Sequence, residues 1–176
     1  MNAKLPQILW ALLGTLLYLL LLLPFFLIWI PYRILLSPEQ IYIFDIGAFR
    51  YLGLVPLALG LIIYVFCSRS FVFIGKGTPI PFTPTKKLIV TGLYRFVRNP
   101  LYIAAVFVLA GEALLFQSIG IIFYCLVLFG GFNLHVLMEE TLLADKFGTS
   151  YEQYRNSVPR WIPRLKPYRD NSTESQ

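Results

Sequence analysis

Charged side chains are scarce in this chain. They make up 14% of its 176 residues, whereas hydrophobic residues make up 57%. Because charged residues reach about a quarter of an ordinary soluble domain, this composition excludes that class and predicts one membrane-embedded domain over residues 1–170. The short remainder, residues 171–176, is expected to be disordered.

Cysteine and histidine are rarer still, with two cysteines and one histidine. Cys67 and Cys125 lie inside apolar runs, far apart and without a CxxC pair, so we expect no disulfide framework and no zinc site. His135 alone cannot build a metal site, because such a site needs several suitable ligands close together. We therefore predict no bound metal.

Two cofactor and partner signals are also missing. No GxGxxG motif follows a predicted strand, which argues against a Rossmann sheet. The net charge of +6 could point to nucleic acid, but no basic helix and no basic strand interleaved with aromatics lies outside the membrane boundaries. We interpret the charge as membrane topology and contact with membrane lipids, and we expect no nucleic-acid partner.

Long apolar runs are what the sequence has in abundance, and they predict an all-α integral membrane fold with four transmembrane helices. Pro24 inside the first run predicts a kink. Gln117 and Ser118 are the only break between the last two runs, which predicts a tight antiparallel helical hairpin. An amphipathic C-terminal helix follows, with a break expected at Gly148. The four predicted transmembrane helices cover residues 8–30, 49–67, 101–116 and 119–138.

Basic residues are distributed unevenly between the loops. The segment of residues 68–99 carries six Lys or Arg and no Asp or Glu, and the tail is basic as well. By the positive-inside rule both segments face the cytoplasm, the 31–48 loop faces outwards, and both termini lie inside. The cytoplasmic elements, residues 68–100 and 139–165, therefore converge on one face, where we expect the active site.

Residues 92–102 mark the point where the basic loop enters the third apolar run. Pro100 suits the first turn of a helix, and Asn99 falls at the cap position, where its side chain can accept a bond from a free backbone N–H. Free N–H groups, the helix dipole and Arg98 make this a suitable place for an anionic group of a ligand. A basic membrane-boundary anchor is the alternative interpretation.

Two adjacent carboxylates, Glu139 and Glu140, stand at the end of the fourth apolar run, where they are costly unless solvated or paired. His135 lies one helical turn before Glu139 and shares its face. One of the carboxylates could bind the hydroxyls or the ammonium of a ligand, with Arg98 or the tail arginines opposite. Otherwise the pair simply marks the water interface.

These residues form a two-part pattern that resembles the signatures of the isoprenylcysteine carboxyl methyltransferase family, which phospholipid N-methyltransferases share. The resemblance covers about residues 68–165, with the two parts in order and at the expected separation. The first part is the run from Leu88 to Tyr94 followed by Arg98-Asn99-Pro100-Leu101-Tyr102, and the second is Glu139-Glu140, Phe147-Gly148, Tyr151, Tyr154 and Val158-Pro159.

The resemblance implies a membrane methyltransferase that uses S-adenosyl-L-methionine and methylates an amphiphilic, lipid-like or lipidated acceptor. Isoprenylcysteine-type carboxyl O-methylation is the expected reaction, and N-methylation of a phospholipid or lipid amine is the alternative. A non-catalytic membrane scaffold or lipid-binding relative is the alternative from another class. The implied catalytic residues are Glu139 and His135. The implied cofactor-binding residues are Lys86, Lys87, Leu88, Ile89, Tyr94, Arg98, Asn99, Pro100, Leu101, Tyr102 and Glu140.

Two positions depart from the family's pattern. Asn99 replaces the usual histidine of an Arg-His-Pro signature; it can still donate and accept hydrogen bonds, but it does not titrate near neutral pH. His135 stands where the eukaryotic enzymes have an arginine, which bears on how a carboxylate acceptor is recognised.

Overall fold

The computed structural model describes residues 21, 23–37, 45–70, 88 and 90–169. Every regular element in these ranges is helical, which confirms the prediction of an all-α chain. The elements are a π-helical turn (Phe25–Trp29), α1 (Ile30–Leu35), a 3₁₀ segment (Gly47–Gly53), α2 (Leu54–Ser70), a 3₁₀ turn (Gly92–Arg95), α3 (Pro100–Phe116), α4 (Ile119–Phe147) and α5 (Thr149–Ser157).

The first predicted helix falls largely outside the described residues, which begin at residue 21. Pro24 directly precedes the π-helical turn, in which the Ile30 N–H donates to the Phe25 carbonyl five residues back. Prolines and π-turns are the usual causes of a bend in a helix. The predicted end at residue 30 is wrong, because the chain stays helical to Leu35. Pro31 falls in the first turn of α1, where its missing N–H is tolerated.

The second predicted helix, over residues 49–67, is present as the 3₁₀ segment and α2 together. Its backbone packs directly on α3 where glycines lie in the contact: Gly53 and Gly60 on one side and Gly111 of α3 on the other. A Cβ atom on Gly53 would lie 2.5 Å from the Gly111 carbonyl, and one on Gly60 would lie 2.7 Å from the Ala104 carbonyl. Small residues allow such close approach of membrane helices. The glycines of the second apolar run therefore mark the contact with α3.

Helix α3 begins and ends within one residue of the predicted 101–116. Helix α4, in contrast, runs nine residues past the predicted end at 138 and stops at Gly148, whose φ of 54° ends it where a break was expected. The link between them turns on Gln117, in the left-handed region, and Ser118, whose Oγ accepts a bond from the Ile121 N–H at 3.3 Å. Glu139 and Glu140 therefore lie inside a helix and not beyond one.

Two described helical stretches are long and apolar enough to cross a membrane. They are Gly47–Arg69, with 23 residues, and Ile119–Phe147, with 29. The core helix of a soluble protein would be buried, but only 17% and 11% of their most apolar stretches are buried. Phe25–Leu35 and Pro100–Phe116 are shorter apolar helices, so the arrangement of four membrane crossings with a tight hairpin stays a prediction.

The chain after α5 folds back along the loop that precedes α3. Backbone N–H groups of Arg98, Arg164 and Tyr168 donate to the carbonyls of Pro159, Phe96 and Arg95 at 2.9–3.0 Å. We call residues 158–169 the C-terminal strap. These bonds hold the strap beside the first turn of α3, next to the residues that the sequence singled out.

Candidate active site

One cleft lies between the loop before α3, the second half of α4 and α5. Its total empty space, which includes the solvent at its open mouth, is about 540 Å³. Six of the predicted site residues line it, together with four others. Its lining consists of Leu88, Tyr94, Arg98, Asn99, Val136, Glu139, Glu140, Leu143, Tyr151 and Tyr154.

Glu140 is a carboxylate buried in the wall of this cleft, with only 5% of its surface exposed. Arg160 in the strap donates from Nε to Oε1 at 2.9 Å and from Nη2 to Oε2 at 2.7 Å. Arg98 Nη1 lies 2.8 Å from Oε1, and Arg155 Nε lies 3.9 Å from Oε2. A buried carboxylate is tolerated only when it is paired in this way. Glu140 therefore joins α4, the loop before α3 and the strap.

Glu139 is half-buried, and its contacts are with other residues than those that bind Glu140. Tyr102 in α3 donates its hydroxyl to Glu139 Oε2 at 3.2 Å, and His135 Nε2 lies 3.9 Å from the same oxygen. Nε2 of His135 is buried and has no hydrogen-bond partner among the described residues. The Tyr102 ring also packs on Phe132, with 4.7 Å between ring centroids. The structure thus brings the two predicted catalytic residues together and adds Tyr102 to them.

Asn99 occupies the N-cap position of α3, as the sequence predicts, but its side chain does not cap the helix. Its Nδ2 donates to the Arg160 carbonyl at 3.3 Å instead. The expected capping bond is therefore wrong, because the strap presents a carbonyl to this amide. The first N–H groups of α3 gain no partner from the Asn99 side chain.

Three tyrosines line the cleft. The Tyr154 hydroxyl donates to the Tyr94 carbonyl at 2.7 Å, which ties α5 to the loop before α3. Burial raises the pKa of Tyr94, Tyr151 and Tyr154 above that of an ordinary tyrosine. The three side chains therefore stay neutral at physiological pH. In the same region, the hydrogen bonds to Glu140 raise the pKa of Arg160.

The remaining predicted residues fall into three groups. Lys86, Lys87 and Ile89 lie outside the described residues. Pro100 is buried at the first position of α3 and does not line the cleft. Leu101 packs instead with Cys67 and Tyr94.

Some residues of the site were not singled out by sequence reasoning. Val136 and Leu143 were missed, although with Glu140 they recur at the spacing of one α4 face, a signal that could have found them. The tail arginines were considered only as a group. Nothing in the sequence distinguishes Arg160 from its basic neighbours, since its contact with Glu140 depends on how the strap folds back.

A model of the phospholipid methyltransferase family matches residues 48–150, which is more than half of the chain. The chain belongs to that family. The match includes α2, α3, α4 and the cleft residues from Leu88 to Leu143, and it ends before most of α5 and the strap. Family membership and the exposed apolar helices together identify an integral membrane protein.

Among curated proteins, the chain is similar to three methyltransferases. It is 38% identical over 77 residues to the protein-S-isoprenylcysteine O-methyltransferase of Schizosaccharomyces pombe, a stretch that covers 43% of this chain and 33% of the relative. It is 30% identical over 118 residues to the probable protein-S-isoprenylcysteine O-methyltransferases of the indica and japonica subspecies of Oryza sativa, covering 64% of this chain and 60% of each relative. The chain thus spans between one third and three fifths of these relatives. No solved structure matches it.

Proposed function

We propose that this chain is an S-adenosyl-L-methionine-dependent methyltransferase that O-methylates an isoprenylcysteine-type carboxylate on a lipidated or lipid-like acceptor. One observation carries the proposal: six residues implied by the family resemblance, widely separated in sequence, line a single cleft. The names of the curated relatives support the same reaction. We place this cleft, and both termini, on the cytoplasmic side, as the basic loops indicate.

The residues of the cleft fit the proposed cofactor, which carries a carboxylate, an ammonium, a ribose and an adenine. Arg98 Nε is buried without a hydrogen-bond acceptor among the described residues, so it is available to a ligand carboxylate. The positive end of the α3 dipole suits the same anion. Glu139, which keeps part of its surface exposed, suits an ammonium or a ribose hydroxyl. The ring of Tyr94 in the cleft lining, and that of Tyr102, which bonds to Glu139 of the lining, would contact the adenine.

We assign the remaining implied residues to the same binding role. Lys86 to Ile89, of which only Leu88 is described, would border the cofactor on the loop side. Asn99, Pro100 and Leu101 would fix the backbone that faces it, and Glu140 would act by holding Arg98 in place. The cofactor supplies an activated methyl group when bound, so the protein has to orient the acceptor and exclude water.

The catalytic roles of Glu139 and His135 depend on the acceptor. A carboxylate acceptor is already ionised and needs no base, so His135 would position it and Glu139 would face the cationic cofactor. An amine acceptor would have to lose a proton. Glu139 with His135, whose buried Nε2 has no hydrogen-bond partner in the described part of the chain, could take it. That pair is the observation that favours N-methylation of a phospholipid or lipid amine as the second candidate function.

Transfer of a labelled methyl group into total membrane lipids and proteins tests the proposal. The parent protein should produce an alkali-labile methyl ester; an alkali-stable product would establish the N-methylation alternative. Glu139→Gln should lower the rate by about 10- to 150-fold, because a charged hydrogen bond is worth about 1.5–3 kcal/mol. Glu152→Gln, at an exposed carboxylate of α5, is the matched control and should keep the parent rate.

Activity of Glu139→Gln within threefold of the parent would remove Glu139 from the site. A folded parent protein that transfers no label to any membrane component would favour the non-catalytic scaffold instead.

A further inference from the structure

Trp161 connects the C-terminal strap to the middle of α4. Its Nε1 donates to Asn133 Oδ1 at 3.0 Å, and its ring lies 5.0 Å from that of Phe129. Asn133 Nδ2 in turn donates to the Phe129 carbonyl at 2.8 Å. A polar side chain within an apolar helix needs such partners, so Asn133 is explained as the docking point for the strap.

The docking point lies well inside the apolar band of α4. Exposed large apolar side chains continue along this helix to Leu142, nine residues after Asn133, which corresponds to about 14 Å at the α-helical rise. Trp161 therefore packs at a level where the outer face of α4 is still apolar. Two neighbouring apolar residues of the strap face away from the protein: Ile162 is 79% exposed and Leu165 is 99% exposed.

The same segment is strongly basic. Residues 158–169 contain four Lys or Arg and no Asp or Glu. Lys166 and Arg169 are exposed and have no carboxylate partner among the described residues. Apolar side chains beside an apolar helix face, next to cations that lack a carboxylate partner among the described residues, are the pattern of segments that lie in the interface of a membrane.

We propose that the C-terminal strap is a lipid-binding site that inserts Ile162 and Leu165 into the membrane interface and binds anionic phospholipid headgroups through Lys166 and Arg169. The occupant is the lipid leaflet that surrounds α4, because Trp161 fixes the strap against the apolar outer part of this helix. The strap lies outside residues 48–150, which the family model matches. The proposal is therefore about this chain and does not depend on its catalytic activity.

Fluorescence quenching in reconstituted vesicles tests this site. The chain has three tryptophans, so replacing Trp10 and Trp29 by Phe leaves Trp161 as the only reporter. Vesicles of phosphatidylcholine with 20% phosphatidylglycerol are prepared twice, with bromine on the chains of either the anionic or an equal amount of the zwitterionic lipid. We expect the brominated anionic lipid to quench Trp161 at least twofold more, and Lys166→Gln with Arg169→Gln to abolish that preference.

A protein that retains only Trp29 is the control and should show a smaller preference. Equal quenching of Trp161 by the two brominated lipids would overturn the anionic selectivity. Quenching by acrylamide in water without quenching by either lipid would overturn the membrane contact and point to a protein partner on this surface. If the single-tryptophan protein does not fold, native mass spectrometry of the parent and of Lys166→Gln/Arg169→Gln decides: the parent should retain more phosphatidylglycerol, and equal retention would contradict the proposal.

Discussion

The Arg160 guanidinium donates two hydrogen bonds to the Glu140 carboxylate, at 2.9 and 2.7 Å. The backbone carbonyl of Arg160 accepts a bond from Asn99 Nδ2 at 3.3 Å. One residue of the strap thus contacts both the second half of α4 and the cap position of α3. The contact fixes Glu140 and, through it, Arg98. The wall of the cleft is therefore assembled from segments that only the fold brings together.

Removing the Glu140 charge should destabilise the protein. Glu140→Gln would leave Arg98, which is 11% exposed, without its carboxylate, and breaking a buried pair in this way costs about 3–5 kcal/mol. The free energy of unfolding in detergent, measured by denaturant titration, should fall by an amount of that order. Glu152→Gln, at an exposed carboxylate, should change it by less than about 0.5 kcal/mol. Equal stability of the two variants would contradict the role assigned to Glu140.

Close packing of α2 on α3 predicts opposite effects at two glycines. A Cβ atom on Gly111 would lie 2.7 Å from the Gly53 carbonyl and from the Leu57 nitrogen, whereas one on Gly130 would meet nothing within 4 Å. Gly111→Ala should lower stability by about 1–3 kcal/mol, because backbone atoms have to move apart. Gly130→Ala should leave it unchanged or raise it by up to about 1 kcal/mol, since alanine favours a helix. Thermal unfolding of both variants tests this, and a tolerated Gly111→Ala would disprove the packing.

The hydroxyl of Tyr102 should matter for catalysis separately from its ring. Tyr102→Phe removes the 3.2 Å bond to Glu139 and keeps the ring that packs on Phe132. A net hydrogen bond of about 1 kcal/mol predicts about a fivefold lower kcat/KM. Tyr32→Phe, at an exposed tyrosine, is the control. Parent-like kinetics of folded Tyr102→Phe would show that this bond has no part in the reaction.

Membrane orientation can be tested with a membrane-impermeant maleimide on intact cells. The basic strap is expected in the cytoplasm, so Lys166→Cys should react only after permeabilisation. Asp45→Cys, in the loop expected outside, should react without it. Both positions are exposed, and the parent protein gives the background from Cys67 and Cys125. Labelling of Lys166→Cys on intact cells would reverse the proposed topology.

Local signals in the sequence predicted those features that depend on neighbouring residues. Pro100 and Asn99 gave the start of α3 to within one residue, and the four-residue spacing of His135 and Glu139 placed them on one face. The end of α4 was misjudged because Glu139 and Glu140 resemble a water boundary. In the fold, the two carboxylates have partners in α3 and the strap, and the helix runs on to Phe147.

Contacts made by the strap could not be predicted in the same way. Arg160 and Glu140 are 20 residues apart, and Trp161 and Asn133 are 28 apart. No periodicity or spacing rule connects an irregular, proline-containing segment to a particular turn of a helix. These pairings depend on the direction in which the chain leaves α5, which is a property of the tertiary structure.

Calorimetric binding of S-adenosylhomocysteine to the purified protein tests the central claim most directly, because it measures the cofactor cleft without needing the acceptor. We expect saturable binding by the parent and by Glu152→Gln, and at least tenfold weaker binding by Tyr102→Ala and by Arg98→Ala. Circular dichroism and size-exclusion chromatography would establish that each variant is folded. No binding by the folded parent, or parent-like affinity in folded Tyr102→Ala and Arg98→Ala, would contradict the assignment of this cleft to the cofactor.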